Sequence, residues 1–167
     1  MDREQLRAAQ APLKEKYRNE PASAVVTLRA TGALGEDVSC DVATGRALVR
    51  AGLHPATGGT GLAVCSGDML LQALVACAGV TLGAVATSLG IAVRGGTLTA
   101  EGDLDFRGTL GVAKDAPVGF RGVRLHIALD SDADEAAKRK LLELTERYCV
   151  VYQTLARSPS VTMTYAG

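Results

Sequence analysis

Short apolar runs separated by turn residues dominate the first third of the chain. The runs AVVTLRA, DVSCDVA and RALVRAG, between residues 24 and 52, are rich in Val and Leu and are separated by Gly, Asp and Thr. This pattern predicts three strands of an antiparallel meander. Before them, residues 3–18 have a helix-forming composition with mixed charge, which predicts a solvated N-terminal helix or arm. After them, HPATGGTG (54–61) predicts a loop.

A long uncharged segment follows this loop. Ser66 is a good helix N-cap, Asp68 suits the first turn, and residues 69–93 contain no charged side chain. At about 1.5 Å per residue the helix is long enough to cross a small domain or a bilayer core. Its polar residues and its high Ala and Gly content favour a helix buried on all sides in a soluble protein over a membrane span. The polar residues are Gln72, Thr81, Thr87 and Ser88.

Gly79 and Gly83 form a small-xxx-small pair on this helix. Such a pair allows another helix backbone to approach closely. No other segment offers so apolar a helix of similar length, so the natural partner is the same helix of a second chain. The sequence therefore predicts a homodimer.

The second half of the chain predicts two long strands and a second helix. Residues 93–106 and 120–132 alternate polar and apolar positions around the loop TLGVAKDAPVG. Asp132 or Asp134 can cap a helix over DEAAKRKLLELTERY, which is predicted to run on through CVVYQTLAR until Pro159. VTMTYA predicts a final strand.

The predicted order is β-β-β-α-β-β-α-β, an α+β fold without βαβ regularity. At 167 residues the chain predicts one domain over residues 22–167, preceded by an N-terminal helical arm over residues 1–21. Lys plus Arg and Asp plus Glu number 18 each, so no net charge attracts nucleic acid or an anionic membrane. The charged first twenty residues contain no apolar signal region, which predicts a cytoplasmic protein.

Motifs of several enzyme classes are missing from the sequence. It has no Walker A loop, no G-x-S-x-G elbow, no HExxH and no Cys-x-x-Cys, and GGTG (58–61) lacks the spacing of a dinucleotide fingerprint. The two histidines, His54 and His126, lie far apart in the sequence. These observations argue against nucleotide enzymes and serine hydrolases, and they predict neither a cofactor nor a metal site.

Cys77 and Cys149 are the candidate reactive groups. Cys77 lies about halfway along the apolar helix, where a buried cysteine is ordinarily an inert small hydrophobe. Cys149 also lies on an apolar helical segment, CVVY. If the two thiols meet, a sulfenic acid on one can be captured as a disulfide by the other. The sequence pattern leaves open whether they touch.

Two motifs resemble those of the osmotically inducible protein C and organic hydroperoxide resistance (OsmC/Ohr) family. SGDMLLQALVACAGVTLGAVA looks like the family's helix motif, in which a turn and an acidic residue lead to L-L-x-A-L-A-A-C. ERYCVV looks like its second-cysteine motif, usually C-P-V. With the approach HPATGG and the same order of elements, the resemblance spans roughly residues 22–167.

The resemblance implies antiparallel sheets wrapped around long central helices in an intertwined homodimer, with active sites at the subunit interface. It implies that Cys77 attacks an organic, or possibly inorganic, hydroperoxide and that Cys149 resolves the sulfenic acid. An external dithiol then completes the reduction. Such a protein is a thiol-based peroxidase in oxidative stress defence.

Family members activate the thiol with an arginine held by a carboxylate. The first candidate for the arginine is Arg50, with Arg46 and Arg29 behind it. Asp68 occupies the acidic position before the helix motif. It lies about 13 Å along an ideal helix from Cys77, so it either caps the helix or holds an arginine near the partner's thiol.

The chain also departs from the family pattern. Val150 stands where the family usually has proline, and Ser66 and Gly67 replace a proline-containing turn. Cys65 is an extra thiol interpreted as a spare loop cysteine, and Cys40 is interpreted as structural. Two alternatives follow for function. One is a non-enzymatic member of this fold that binds a small hydrophobic ligand or senses redox state, and the other is a membrane-embedded protein.

Overall fold

The computed structural model describes residues 2–5, 7, 8, 10, 11, 19, 32–34, 39–44, 47–111 and 113–165. Mixed strands and helices confirm the α+β fold class. In chain order they are β1 (Gly32–Leu34), β2 (Ser39–Thr44), β3 (Ala47–Gly52), β4 (Val64–Cys65), α1 (Ser66–Leu89), β5 (Gly95–Asp103), α2 (Phe106–Thr109), β6 (Gly122–Asp130), α3 (Glu135–Tyr148) and α4 (Val150–Ala156).

The chain divides into two compact units. The first unit comprises Met1–Arg7, Ala73–Leu98 and Ile127–Gly167, and the second comprises Ala8–Gln72 and Thr99–His126. The arm over residues 1–21 and the single domain over the rest of the chain stay predictions.

Four strands form a sheet in the second unit. Strands β1, β2 and β3 pair antiparallel in sequence order, and β4 pairs parallel with β3. Strands β2 and β3 confirm two of the three predicted meander strands. The first predicted run, residues 24–30, lies outside the described residues. Strands β1 and β4 were not predicted.

The loop after β3 is held by a tight turn over Pro55–Thr57. The side chain of His54 caps this turn by accepting a hydrogen bond at Nδ1 from the N–H of Ala56, at 3.0 Å. Gly58 ends it with φ of 90°, a left-handed conformation that favours glycine. The predicted Gly-rich loop is thus a defined turn that turns the chain from β3 towards β4.

Helix α1 buries one narrow stripe in the first unit. Leu74, Ala78, Leu82 and Ala86 recur every fourth residue and are the buried positions of the helix. Leu82 and Ala86 pack against Leu141 of α3. The partly buried side chains around them are Val85, Ile91, Val93, Ile127 and Leu129.

The other faces of α1 are not buried within this chain. Val80 is 76% exposed, and a Cβ added at Gly83 would meet no atom within 4 Å. Within one chain only the stripe has packing partners, so the predicted burial on all sides, which includes a second copy of this helix, stays a prediction. By length and composition α1 is the one described helix that could cross a membrane, a property it shares with core helices of soluble proteins.

Strands β5 and β6 form a two-stranded sheet and confirm the two predicted long strands. The N–H of Arg94 donates to the carbonyl of Asp130, and the N–H of Arg121 donates to that of Asp103. These pairings make the strands antiparallel. On exposed positions, Arg94 forms ion pairs with Asp130 and Asp132. These ion pairs join the residue before β5 to the end of β6 and the segment after it.

Two C-terminal predictions are wrong. The second helix begins as predicted, with Asp134 as its N-cap, but α3 ends at Tyr148 and a separate helix, α4, follows. Cys149 breaks the run because its backbone is extended, with φ of −73° and ψ of 109°. Residues 161–165 form no strand, since no described segment pairs with them, and their side chains are exposed.

Candidate functional site

The two predicted cysteines lie together in the first unit. Cys77 is partly exposed in the middle of α1, where the neighbouring positions Leu74 and Ala78 are buried. Helical geometry thus places the thiol beside the buried stripe rather than within it. Cys77 is therefore only partly covered within this chain.

The junction between α3 and α4 positions Cys149. Its N–H donates to the carbonyl of Thr145 at 2.9 Å and closes α3, while its sulfur accepts from the N–H of Tyr152 at 3.5 Å and caps α4. Thr145 is itself buried and donates its hydroxyl to the carbonyl of Leu141 at 2.8 Å. Cys149 is buried, with 1% of its surface exposed.

Cys77 and Cys149 interact directly, and their pKa values move in opposite directions. Burial by itself raises the pKa of Cys77, but hydrogen bonds from the N–H of Val151, the Cys149 thiol, the N–H of Val150 and the Thr81 hydroxyl outweigh it and lower the pKa. Burial raises the pKa of Cys149, and donation to Cys77 raises it further. The pair therefore favours a thiolate on Cys77 and a thiol on Cys149.

This arrangement is suited to thiol redox chemistry. A partly exposed, hydrogen-bonded thiolate is a nucleophile, whereas a buried thiol with a raised pKa is unreactive towards solvent. A sulfenic acid formed on Cys77 would have the interacting Cys149 sulfur as its neighbour. The geometry can thus pass from thiolate to sulfenic acid to disulfide without a metal or cofactor.

The proposed arginine and its carboxylate partner belong to the second unit. Arg50 lies on β3 opposite Asp41 of β2 and is exposed. Asp68 is exposed in the first turn of α1, and Ser66, the predicted N-cap, is the first helical residue. The roles of Arg50 and Asp68 stay predictions. Arg46 and Arg29, the other candidate arginines, lie outside the described residues.

The remaining cysteines are separate from Cys77 and Cys149 in sequence. Cys65 is a partly exposed free thiol at the end of β4. Cys40 lies on β2 opposite Ala51, and its side chain is outside the described part of the chain. Within the described ranges, no three or more His, Cys, Asp or Glu side chains are grouped as a metal site.

A cavity of about 370 Å³ lies in the second unit. His54 lines it and stacks on Phe106, with ring centroids 4.8 Å apart. Cys65 also lines it. Its larger apolar lining residues are Leu53, Leu70, Leu104, Phe106, Val118 and Phe120.

Sequence reasoning missed three of the groups that act on Cys77. Thr81 was recognisable only as a residue one turn further along the same helix. The N–H groups of Val150 and Val151 gave no signal, because the predicted continuous helix would have directed both towards carbonyls of the preceding turn. The break at Cys149 is what frees them.

Comparison with known proteins identifies a family and a fold. The family model described as OsmC-like protein matches residues 59–164. No curated protein sequence matches the chain.

Several solved structures share the fold at low sequence identity. An OsmC-like protein from Mycoplasma pneumoniae has a TM-score of 0.68 and 19% identity, over 80% of this chain and 89% of that one. An organic hydroperoxide resistance protein OsmC from Legionella pneumophila has a TM-score of 0.63 and 19% identity, over 81% and 92%. The organic hydroperoxide resistance protein OhrB of Bacillus subtilis has a TM-score of 0.56 and 21% identity, over 81% and 93%.

Proposed function

The chain belongs to the OsmC-like protein family, and on that premise we propose that it is a thiol-dependent reductase of organic hydroperoxides. The observation that carries the proposal is the hydrogen-bonded pair of Cys77 and Cys149, whose pKa values are shifted in opposite directions. Structural relatives named as organic hydroperoxide resistance proteins support the substrate class. The role would be defence against oxidative stress.

The reaction begins at Cys77. Its thiolate attacks the terminal oxygen of the hydroperoxide, the O–O bond breaks, and the sulfur is oxidised to a sulfenic acid. The departing alkoxide takes up a proton and leaves as an alcohol. The peroxide is thereby reduced by two electrons, which the sulfur supplies.

Cys149 completes the oxidative half of the cycle. After losing its proton, it attacks the sulfenic sulfur of Cys77, so an S–S bond forms as the S–O bond breaks and water leaves. An external dithiol then reduces the disulfide by two exchange steps and is itself oxidised to a disulfide. Both thiols are restored.

Arg50 and Asp68 are proposed as supporting groups. A guanidinium near the thiol would polarise the peroxide oxygens, and a carboxylate would orient that guanidinium. Both side chains are exposed within one chain.

We propose that the working form is a soluble, cytoplasmic homodimer. The exposed Val80 and the open space at Gly83 lie on an apolar helix that one chain covers on one stripe alone. A second α1 would bury this surface, and family membership supports a soluble protein.

The proposal is tested by intact-mass analysis and thiol mapping after one equivalent of cumene hydroperoxide. We expect a disulfide between Cys77 and Cys149, with release of cumyl alcohol. Cys77→Ser should abolish peroxide consumption. Cys149→Ser should instead consume one equivalent and accumulate the sulfenic acid, which a dimedone probe traps.

Cys65→Ser is the matched control, because it removes a partly exposed thiol outside the pair. It should leave the disulfide and the turnover unchanged. If both Cys77 and Cys149 stay reduced in excess peroxide, the reductase proposal is wrong.

A second candidate function is binding of a small hydrophobic ligand. The apolar cavity of about 370 Å³ in the second unit favours it. This function would take the place of catalysis if the thiols prove inert, and the protein would then serve as a carrier. If the thiols oxidise without turnover, the protein would instead be a redox sensor.

A further inference from the structure

The cavity of the second unit brings together side chains that are rare in this chain. The chain has two phenylalanines, two histidines and no tryptophan. Both phenylalanines, Phe106 and Phe120, and one of the histidines, His54, line the cavity. Its volume of about 370 Å³ lies within the range of small-molecule sites, which are lined mainly by apolar and aromatic side chains. The aromatic groups of the chain are thus concentrated at this cavity.

The aromatic walls of the cavity are formed before any ligand binds. A Cβ added at Gly102 would lie 2.5 Å from Cε1 of Phe120, and one added at Gly67 would lie 3.4 Å from its Cζ, so the ring packs closely against both glycines. His54 stacks on Phe106 with ring centroids 4.8 Å apart and an interplanar angle of 18°. A ligand therefore meets rings that are already in place, which reduces the cost of ordering them on binding.

His54 also carries a hydrogen-bond donor of known tautomer. Its Nδ1 accepts from the N–H of Ala56 at 3.0 Å, so in the neutral imidazole the proton is on Nε2. Within the described part of the chain Nε2 has no hydrogen-bond partner, and no side-chain nitrogen or oxygen there is both buried and without a partner. The Nε2–H is therefore an accessible donor on a residue of the cavity wall.

The remaining lining residues favour an uncharged ligand. No Asp, Glu, Lys or Arg is among the described residues that line the cavity. An ionised ligand would lose water there without gaining a charged partner, which is costly. Leu53, Leu70 and Val118 line the cavity while 43%, 39% and 65% exposed, so a ligand would cover apolar surface that now faces solvent.

We propose that this cavity binds an uncharged, largely apolar molecule that has one aromatic ring and a carbonyl oxygen, and that the oxygen accepts a hydrogen bond from the Nε2–H of His54. The inference rests on the second candidate function and deepens it by naming the class of ligand. It requires no reaction at Cys77 or Cys149, which belong to the other unit. Binding at this cavity and peroxide reduction are thus separate properties of the chain.

Three probes of about the same size test the class of ligand on the wild-type protein. In α-methylstyrene a CH₂ group replaces the carbonyl oxygen of acetophenone, and benzoate carries a carboxylate instead. Affinities are measured from amide chemical shifts in NMR titrations. We expect acetophenone to bind about three- to ten-fold more tightly than α-methylstyrene, because of one hydrogen bond. Benzoate should bind most weakly of the three.

His54→Asn tests the donor. Asparagine is a favourable capping residue, so the turn over Pro55–Thr57 keeps its cap while the Nε2–H is removed. The preference for acetophenone over α-methylstyrene should disappear in this variant, although the loss of the ring weakens both probes. His126→Asn is the matched control, because His126 is exposed, lies on β6 and does not line the cavity. It should keep the wild-type preference.

Cys65 reports where the probe binds. Its sulfur lies 3.7 Å from the position of a Cβ added at Gly67, the same position that contacts Phe120. Saturating acetophenone should therefore slow the alkylation of Cys65 by iodoacetamide and leave that of Cys77 unchanged. Peptide mass spectrometry measures both rates in one sample, and no peroxide is present.

Equal affinity of the wild type for acetophenone and α-methylstyrene would overturn the inference, as would a preference that survives in folded His54→Asn. Protection of Cys77 instead of Cys65 would also overturn it, because the probe would then bind elsewhere. If His54→Asn does not fold, as judged by circular dichroism, the wild-type affinities and the alkylation of Cys65 decide. Peroxide turnover without binding of acetophenone would contradict this inference alone, and binding without turnover would contradict the reductase proposal alone.

Discussion

Cys77 and Cys149 have the same side chain and acquire different chemistry from their surroundings. Cys77 accepts hydrogen bonds at a partly exposed position, and its pKa falls; Cys149 is buried and donates, and its pKa rises. The family motifs identified both residues in the sequence. The motifs could not identify the groups that lower the pKa of Cys77. In the sequence, Val150 is recognisable only as a departure from the family's usual proline, and tertiary structure brings it to Cys77.

A residue-scale prediction concerns the acid stability of the second unit. Asp105 caps α2 by accepting from the N–H of Arg107 at 3.1 Å, and its carboxylate also accepts from the Arg107 side chain at 2.9 Å. The hydrogen bond from the Arg107 side chain is the main reason that the pKa of Asp105 falls to about 2. The folded protein therefore favours the charged carboxylate.

Asp105→Asn should lower stability at neutral pH. A pKa below the unfolded value of about 3.9 means that the charge stabilises the fold above that pH, and that this contribution is lost as pH falls towards 2. The stability gap between wild type and Asp105→Asn should thus narrow between about pH 4 and pH 2. Urea unfolding at several pH values measures it.

Asp115→Asn makes the same charge change in the nearby loop and is the control. Asp115 is exposed and forms no described ion pair. If the difference in stability between wild type and Asp105→Asn stays constant with pH, the lowered pKa of Asp105 is contradicted.

At the scale of elements, periodicity predicted the regular strands and helices well. Strands β2, β3, β5 and β6 and helices α1 and α3 follow runs with clear spacing or capping residues. Strand β4 has only two residues and is defined by its pairing with β3, so no local sequence pattern predicts it. The break at Cys149 lacks a Gly or Pro signal, and the segment 161–165 has strand-like alternation but no described neighbour to pair with.

The capping residue of α3 gives an element-scale prediction. The sequence allowed Asp132 or Asp134, and the structure assigns the cap to Asp134, whose carboxylate accepts from the N–H of Ala137 at 2.7 Å. Asp134→Ala should lower the free energy of unfolding by about 1 kcal/mol. Urea titration followed by circular dichroism measures the change.

Asp132→Ala is the comparison, because Asp132 forms an exposed ion pair with Arg94, which keeps Asp130 as a second partner. Such surface pairs contribute about 0 to 1 kcal/mol. Equal destabilisation by both substitutions would argue against the assigned cap.

At the scale of the whole molecule, the family and fold could be predicted from the motifs, whereas the packing of α1 could not. The sequence shows an apolar helix without indicating which chain covers which face. One chain buries the stripe that includes Leu74 and Leu82 and exposes Val80. Burial of the rest requires contacts outside a single chain.

Gly83→Leu tests the proposed dimer. A side chain at this position meets nothing within 4 Å in one chain, and Leu is a better helix former than Gly. The folded monomer should therefore tolerate the substitution, while a second α1 against this face would be displaced. Light scattering should report a dimer for the wild type and a monomer for Gly83→Leu.

Gly122→Leu is the matched control, since Gly122 also has open space around its Cβ position but lies on β6. Gly122→Leu should have the same molecular mass in solution as the wild type. A wild-type monomer, or a Gly83→Leu dimer of unchanged stability, would refute the proposed interface.

If the proposed disulfide between Cys77 and Cys149 forms, the unequal exposure of the two residues determines which sulfur a reductant attacks. Cys149 is 1% exposed and Cys77 is partly exposed, so an incoming dithiol can reach the disulfide from the Cys77 side alone. The mixed disulfide must then form on Cys77, and Cys149 becomes the leaving group. Because a thiol of raised pKa leaves slowly, the departure of Cys149 would govern the lifetime of the disulfide form of the protein.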